Sequence, residues 1–204
     1  MKLVAVSAGL STPSSTRLLA DRLAESVRGE LDAQGHDVEI DVIELRALAV
    51  AIANNLVTGF PPPQLAAAID AVTGADGVIA VTPVFTASYS GLFKSFFDLI
   101  DPDALTGKPV LVAATGGTAR HSLVLEHALR PLFAYLRAVV VPTAVYAASE
   151  DWGSGGDAYT EGLPARIQRA GRETAALMAA RPAAAAPDDD VAALERQLSD
   201  LRFD

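Results

Sequence analysis

Residues 77–91 read GVIAVTPVFTASYSG, an apolar run that passes into a loop of hydroxyl-bearing and aromatic residues. Residues 77–81 show no alternation of apolar and polar side chains, which is typical of a strand buried on both faces. The pattern of residues 92–100 is helical, and Asp101 and Pro102 end it. A strand that is buried on both faces needs a layer of helices on each side, so this stretch predicts an α/β fold with a parallel sheet.

The same succession of strand, loop and helix runs through the rest of the chain. Four further strands are predicted at residues 3–7, 38–42, 110–114 and 139–141. Further helices are predicted at residues 18–27, 46–58, 64–72, 121–136 and 159–180. Because alternating strands and helices build βαβ units, we expect a flavodoxin-like three-layer sandwich. Its five-stranded parallel sheet is predicted to have the strand order 2-1-3-4-5.

The composition argues against several classes of protein. The 204 residues include 25 Asp and Glu against 16 Lys and Arg, a formal net charge of −9, and no Cys. The negative charge argues against nucleic acid or anionic lipid as a partner. The lack of thiols removes disulfides, thiolate catalysis and Cys-based metal sites. The three His show no metal-ligand spacing, and no apolar run approaches the roughly 18 residues of a membrane span. We therefore expect a cytoplasmic protein without a metal.

We expect one domain over residues 1–181, since domains of about 100–200 residues bury a single core. Residues 182–204 are predicted to form an Ala- and Pro-rich linker followed by a short amphipathic C-terminal helix. The apolar seam of this helix comprises Val191, Leu194, Leu198 and Leu201. Such a seam packs either on the chain's own domain or on a partner, and the sequence leaves both open.

A ligand of the predicted sheet would bind at the carboxyl ends of the strands, near the point where the strand order reverses. The first loop there joins the strand at residues 3–7 to a helix. Its hydroxyl groups and the free N–H groups of the helix N-terminus suit a phosphate monoester, although they also fit a plain helix cap. The loop is neither a Walker A nor a Gly-x-Gly-x-x-Gly motif. Its candidate residues are Ser11, Thr12, Ser14, Ser15, Thr16 and Arg17.

The second and third loops at this edge suit a flat heteroaromatic ring. Residues 82–91 offer stacking surface and backbone N–H groups, or else they fill core space. Residues 115–118 contain two Gly residues, which allow a ligand to approach the backbone closely, or else they form a tight turn. The candidates in the second loop are Pro83, Val84, Phe85, Thr86, Ser88 and Tyr89. The candidates in the third loop are Thr115, Gly116, Gly117 and Thr118.

Three segments carry a resemblance to a known family. They are residues 82–91 with Phe93, Lys94, Asp98 and Leu99, residues 105–109 (LTGKP), and residues 114–118 (ATGGT) with His121 and residues 128–131 (ALRP). In order and spacing they resemble the NAD(P)H-dependent FMN reductase family of the flavodoxin-like superfamily over about residues 1–150. The most similar branch supplies reduced FMN to two-component alkanesulfonate-type flavin monooxygenases.

The resemblance implies FMN as the cofactor, NADPH or NADH as the hydride donor, and transfer of hydride to flavin N5. It implies that the first loop holds the phosphate, the second lines the ribityl chain and ring, and the third contacts the other edge of the ring. No catalytic side chain is needed, because the flavin carries the reaction. Arg17 and Arg120 are candidates for attracting the nicotinamide phosphates. A homodimer or homotetramer and a monooxygenase partner are also implied.

One feature of the chain departs from the family pattern, and a second matches a feature of its most similar branch. Family members often carry an Arg a few residues after the first Gly of the phosphate loop, whereas this loop reads Leu-Ser-Thr at residues 10–12 and is shortened. His127 falls near the position of a one-residue π-helical insertion in that branch. There, the insertion accompanies a tetramer interface and flavin that acts as a substrate. Otherwise His127 is an ordinary, partly exposed helical residue.

Three alternative functions remain at this stage. An NAD(P)H:quinone or azo reductase would use the same fold and bound FMN. A flavodoxin-type electron carrier would hold FMN tightly, but the chain lacks the Thr-x-Thr-Gly-x-Thr loop of those proteins. A flavin-free interaction module would use the C-terminal helix. The sequence does not decide between NADH and NADPH.

Overall fold

A computed structural model of the chain describes residues 1–153 and 162–181, in which a sheet lies between two layers of helices. The strands are β1 (Lys2–Ser7), β2 (Glu39–Glu44), β3 (Gly77–Phe85), β4 (Ser88–Tyr89), β5 (Pro109–Gly116), β6 (Val139–Val140) and β7 (Val145–Ala148). The α-helices are α1 (Ser15–Ala33), α2 (Leu45–Thr58), α3 (Pro63–Gly74), α4 (Gly91–Phe97), α5 (Arg130–Tyr135) and α6 (Leu163–Ala180). The three-layer α/β architecture is as predicted.

The main path through the sheet is β2-β1-β3-β5-β6, with every neighbouring pair parallel. This path follows the predicted order 2-1-3-4-5, but the predicted number of five strands is wrong. The last expected strand, at residues 139–141, is β6, and β7 is an additional strand: β6 pairs with the start of β5 and β7 with its end. Between them, the Arg130 guanidinium donates to the carbonyl oxygens of Val141 (3.0 Å) and Pro142 (2.6 Å). Pro142 also has no N–H for a ladder bond.

The seventh strand is β4, which folds back on the end of β3 as an antiparallel hairpin. The expectation of a purely parallel sheet is therefore wrong at this point. The turn between them places Thr86 and Ala87 at φ values of 48° and 66°. Positive φ at both central residues matches the twist of a two-residue hairpin, but it is strained for a β-branched residue such as Thr86. Neither residue is Gly, so no residue typical of this turn type marks its position in the sequence.

Two hydrophobic clusters fill the space between the sheet and its helices. Val4 and Val6 of β1 point into the cluster covered by α2, α3, α4 and α5, while Leu3 and Ala5 point into the cluster covered by α1 and α6. This alternation along one strand follows from the period of two in a β-strand. The carboxyl ends of β1, β3 and β5 consequently meet at one edge of a sheet that is covered on both faces.

The connection after β5 is not the continuous helix predicted at residues 121–136. A 3₁₀ turn (Ala119–His121) precedes a π-helix (Leu125–Leu129), which leads into α5. The predicted π-helical insertion near His127 is therefore confirmed, and it replaces the regular α-helical pattern. Leu129, the last residue of the π-helix, and Phe133 of α5 are both fully buried. In a π-helix the hydrogen bond spans an additional residue.

A buried lysine joins α3 to the start of β5. Lys108 is 2 % exposed, and its ammonium donates to the carbonyl oxygens of Val72 (3.1 Å) and Thr73 (2.5 Å) in the last turn of α3. These carbonyls lack intrahelical partners, so the lysine acts as the C-terminal cap of α3. Burial lowers the pKa of Lys108 to about 8.

Two sequence predictions lie outside the described residues. The linker and amphipathic helix predicted at residues 182–204 fall there, as does the start of the helix predicted at residues 159–180. The part of that helix within the described residues is α6. No helix in residues 1–153 or 162–181 is long and apolar enough to cross a membrane.

Candidate functional site

Three loops surround a cleft at the carboxyl edge of the sheet, which we call the edge cleft. Its volume of about 450 Å³ falls in the range typical of small-molecule sites. Most of the lining residues come from the loop after β1 and from the ends of β3 and β5, and two come from the turn that follows β7. The lining residues are Leu10, Ser11, Ser15, Thr16, Pro83, Val84, Phe85, Thr115, Gly116, Gly117, Ser149 and Trp152. Parallel neighbouring strands bring these sequence-distant loops together.

The loop after β1 presents the N-terminus of α1 to the edge cleft. Ser14 is the N-cap, and its Oγ accepts a hydrogen bond from the Arg17 N–H at 3.2 Å. The N–H groups of Ser15 and Thr16, in the first two helical positions, have no intrahelical acceptor. Gly9 makes this turn possible, because a Cβ there would lie 2.0 Å from Ser14 Oγ. Free N–H groups and the helix dipole create a positive potential suited to an anion.

A buried hydrogen bond ties the first loop to the third. Thr16 Oγ1 lies 2.8 Å from Thr115 Oγ1, and both residues are almost fully buried. Either hydroxyl can donate, since each is both donor and acceptor. The bond fixes α1 relative to the end of β5. It also means that the Thr16 hydroxyl is already engaged, so the hydroxyls that the loop after β1 offers to the edge cleft are those of Ser11 and Ser15.

Arg17, a predicted phosphate contact, turns away from the edge cleft. Its Nε donates to Asp21 Oδ1 at 2.8 Å and its Nη1 to Glu44 Oε1 at 2.6 Å. The hydrogen bond to Asp21 is the main reason that the pKa of Arg17 is raised. One cation held between two carboxylates offers little positive charge to a ligand.

The end of β3, which leads into the second predicted loop, contributes the apolar wall of the edge cleft. Pro83, Val84 and Phe85 line it, and the Phe85 side chain is 46 % exposed. The side chain of Thr82 holds the start of this loop, because its Oγ1 accepts from the Ser90 N–H and donates to the Pro83 carbonyl, both at 2.9 Å. An exposed aromatic ring beside a polar cleft provides stacking surface for a planar ligand.

The remaining candidates of the second loop lie on its far side. Thr86 occupies the strained hairpin turn. Ser88 and Tyr89, in β4, line a different cleft beside the π-helix. The sequence placed all six residues in one loop, whereas the hairpin divides them between two surfaces.

The loop after β5 forms the polar wall of the edge cleft. The hydroxyl of Tyr146, in β7, donates to the Thr118 carbonyl at 2.8 Å, and burial raises the pKa of this phenol. A Cβ at Gly116 would lie 2.0 Å from the Tyr146 oxygen, so a larger residue there would require the Tyr146 side chain or the loop to shift. At Gly117 a Cβ would meet no atom within 4 Å. Tyr146 thus fixes the loop, while Gly117 leaves its backbone open to a ligand.

Three lining residues were missed by sequence reasoning, namely Leu10, Ser149 and Trp152. The last two follow β7, which was not recognised as a separate strand. Trp152 is the one Trp of the chain, and the Arg22 guanidinium lies 5.2 Å from its ring centroid, within cation–π range. Recognising a strand at residues 145–148 would have placed the following loop at the same edge of the sheet.

A second cleft, here called the π-helix cleft, lies between β4, α4 and the π-helix. It is larger, at about 640 Å³, and is bordered by His127, Tyr135, Lys94 and Asp98. The last two form an ion pair, and this hydrogen bond is the main cause of the raised pKa of Lys94. Arg120 borders a third hollow of about 410 Å³, also beside His127. His127 and Arg120 therefore do not line the edge cleft.

The donor set of the edge cleft fits FMN. A helix N-terminus with two serine hydroxyls suits a phosphate monoester, the Pro83–Phe85 segment suits the apolar face of the ring, and the open backbone at Gly117 suits the polar ring edge. Within the described residues, no group of His, Asp and Glu could hold a metal ion. The arrangement can bind and orient a redox cofactor.

Residues 1–153 match the sequence model of the NADPH-dependent FMN reductase family. The FMN reductase (NADPH) of Pseudomonas aeruginosa is 41% identical over 88% of this chain and 94% of that protein. The NADH-dependent FMN reductase SfnF of Pseudomonas fluorescens is also 41% identical, over 87% and 91%. A solved structure, an oxidoreductase from Corynebacterium diphtheriae, superposes with a TM-score of 0.84 at 48% identity, covering 89% of this chain and 98% of that one.

Proposed function

The chain belongs to the NADPH-dependent FMN reductase family, and from that premise we propose that the edge cleft is where it binds FMN for reduction. The protein is an oxidoreductase that uses FMN and a reduced nicotinamide nucleotide. The observation that carries the assignment is the convergence of three loops on one cleft, joined by the buried hydrogen bond between Thr16 and Thr115.

The first loop would hold the FMN phosphate. Support comes from the N–H groups of Ser15 and Thr16, which lack intrahelical partners, and from the hydroxyls of Ser11 and Ser15, which line the edge cleft. Thr12, Ser14 and Arg17 would support this site indirectly, because their side chains already bond within the protein. A site built mainly from neutral donors suits a flavin that enters and leaves, since dipoles bind an anion less strongly than paired cations do.

The second and third loops would hold the ring. Pro83, Val84 and Phe85 would pack on it, while the backbone of Thr115, Gly116 and Gly117 would donate to its polar edge. FMN, when bound, supplies the atom that accepts the hydride. The chain's own part is to orient the ring and leave one face open to the nicotinamide, because hydride transfer requires a close and aligned approach.

We further propose that the protein supplies reduced flavin to a flavin-dependent monooxygenase. We propose that it does so in the cytoplasm, as a homodimer or homotetramer. The support is the resemblance to the alkanesulfonate branch and the π-helix at residues 125–129. His127 would act in that assembly or in flavin transfer, since it borders the π-helix cleft and is exposed.

The test is oxidation of NADPH and of NADH by the purified full chain, with and without added FMN, followed by the loss of nicotinamide absorbance. We expect a rate that rises with free FMN and saturates. Both nucleotides are needed because relatives at the same identity carry names that specify different ones. A protein that oxidises neither nucleotide in the presence of FMN would contradict the proposal. Faster turnover with a quinone or an azo dye than with FMN would favour the alternative reductase.

A further inference from the structure

The loop after β1, residues 9–17, is called the phosphate loop below because it would hold the FMN phosphate, and it has a deficit of positive charge. Arg17 is the one cation within residues 9–17, and it lies between the carboxylates of Asp21 and Glu44. The protein as a whole has a net charge of −9. An FMN phosphate carries up to two negative charges, so helix dipoles alone would have to offset this repulsion.

Arg46 reaches this loop from the next βα unit. It is the second residue of α2, which directly follows β2, and β2 pairs in parallel with β1 so that Ser7 lies beside Glu44. The first turn of α2 therefore lies beside the loop that follows β1. The Nη1 of Arg46 donates to Thr12 Oγ1 and, at 3.4 Å, to the Leu10 carbonyl.

Most of the hydrogen-bonding capacity of Arg46 is free. Among the described residues, its Nε and Nη2 have no hydrogen-bond partner and its guanidinium forms no ion pair. Glu44, two residues before Arg46, already accepts a hydrogen bond from Arg17. An arginine has five N–H donors in a fork that matches phosphate oxygens, so donors remain after the contacts to the loop.

The position of Arg46 has no explanation in the stability of α2. A cation in the first helical turn opposes the helix dipole, and the side chain is exposed instead of filling the core. Its described contacts are with the phosphate loop. A charge held at a helical position that disfavours it, with its head group on a ligand loop, points to a role in binding.

We propose that Arg46 supplies the cation of the FMN phosphate site and thereby takes the place of the loop arginine that this chain lacks. The proposal rests on the assignment of the edge cleft to FMN. In the ligand-free chain Arg46 braces Leu10 and Thr12, and with FMN bound it adds a charge-assisted hydrogen bond from its free donors to the phosphate. Arg46 is thus a determinant of preference for FMN over riboflavin, which lacks the phosphate.

The experiment is titration of the full chain with FMN and with riboflavin at low salt, followed by quenching of Trp152 fluorescence. Trp152 lines the edge cleft and is the one Trp of the chain. We expect Arg46→Gln to raise the Kd of FMN about tenfold, as for loss of one charge-assisted bond. The Kd of riboflavin should stay constant, and Arg46→Lys should retain part of the preference because it keeps the charge.

The matched control is Arg28→Gln, which removes an equal charge from an exposed arginine of α1 that pairs with Glu25. We expect it to change neither Kd. Raising the salt concentration should weaken FMN binding more in the parent protein than in Arg46→Gln, because screening acts on the lost charge.

Three outcomes would overturn the proposal. An unchanged ratio of the FMN and riboflavin Kd values in Arg46→Gln would show that Arg46 does not read the phosphate. Equal weakening of both ligands would assign it a purely structural role in the loop. A raised KM for NADPH but not NADH, with FMN binding intact, would assign it to the nucleotide's 2′-phosphate. By contrast, failure of the parent protein to bind either flavin would contradict the proposed function itself.

Discussion

The edge cleft and the π-helix cleft lie on either side of the hairpin formed by β3 and β4, and they differ in construction. The edge cleft is the smaller, at about 450 against 640 Å³. Its walls are held by buried bonds such as Thr16–Thr115 and by the Tyr146 hydroxyl. The π-helix cleft is bordered by exposed side chains, among them Tyr135 at 73 % exposure and the ion pair of Lys94 and Asp98. Prearranged donors, more than volume, are therefore the ground on which the edge cleft is proposed as the flavin site.

The largest effect is expected from Gly116→Ala, in the wall of the edge cleft. The new Cβ would lie 2.0 Å from the Tyr146 oxygen, so the loop or the Tyr146 side chain must move, and we expect the bond to Thr118 to be lost. We expect a loss of about 1–3 kcal/mol in the free energy of unfolding and a weakening of FMN binding of about tenfold or more. Urea unfolding and flavin titration measure these two quantities.

A second substitution checks the cause. Tyr146→Phe removes the oxygen that the Cβ would strike, so the double variant Gly116→Ala with Tyr146→Phe should recover much of the lost stability. Gly117→Ala should leave the free energy of unfolding unchanged, because its Cβ meets no atom within 4 Å. A Gly116→Ala protein as stable as the parent would refute the close contact with Tyr146.

The next effect tests the bond that joins two walls of the edge cleft. Thr115→Val leaves the Thr16 hydroxyl buried without its partner, which costs about 1–3 kcal/mol. Exchanging both residues for Val should cost less than the single change, since no polar group is then left unpaired. The exposed Thr58→Val, on α2, serves as the control. If the double variant loses more stability than Thr115→Val and Thr16→Val lose together, the hydrogen bond is not the reason for the loss.

Lys108, which lies in neither cleft, gives an effect that depends on pH. Its pKa is about 8 in the folded chain against about 10.4 in an unfolded one. Between these values the unfolded chain binds more protons, so this residue makes stability rise as the pH increases from about 8 toward 10. We expect urea unfolding to show this rise in the parent and a smaller one in Lys108→Met. An identical pH dependence in both proteins would mean that Lys108 titrates normally, and FMN binding should be the same in both.

The smallest of these effects is expected at the π-helix. Deleting His127 removes one residue from Leu125–Leu129 and should restore α-helical hydrogen bonding. Because His127 lies outside the edge cleft, we expect the Kd of FMN to change less than about twofold. If the π-helix cleft is an interface between copies of the chain, the sedimentation coefficient will change. His127→Ala, which keeps the chain length, separates loss of the side chain from loss of the bulge. A large loss of FMN binding on deletion would join the two clefts into one site.

The sequence predicted which loops converge on the edge cleft, but not which of their side chains bond elsewhere in the protein. The apolar strands at residues 77–81 and 110–114 had a clear pattern, so the order of the central path and the edge at which loops converge followed from periodicity. The positions of the Arg17, Thr12 and Ser88 side chains did not follow from periodicity. Each depends on a partner that is distant in sequence or on the hairpin of β3 and β4. Nothing in the sequence indicated a role for Arg46, because its helix is distant in sequence from the loop after β1.

The sequence by itself determined the three-layer fold, the family and the three loops of the edge cleft, because strand period, helix period and the motifs are local properties of the chain. It also predicted the π-helix near His127, through the resemblance. The tertiary structure alone decided which hydroxyls are free, which arginine faces the loop after β1 and which side chain crowds residue 116. Those outcomes depend on contacts such as Thr16 with Thr115 and Gly116 with Tyr146, which exist only once β1, β5 and β7 lie side by side.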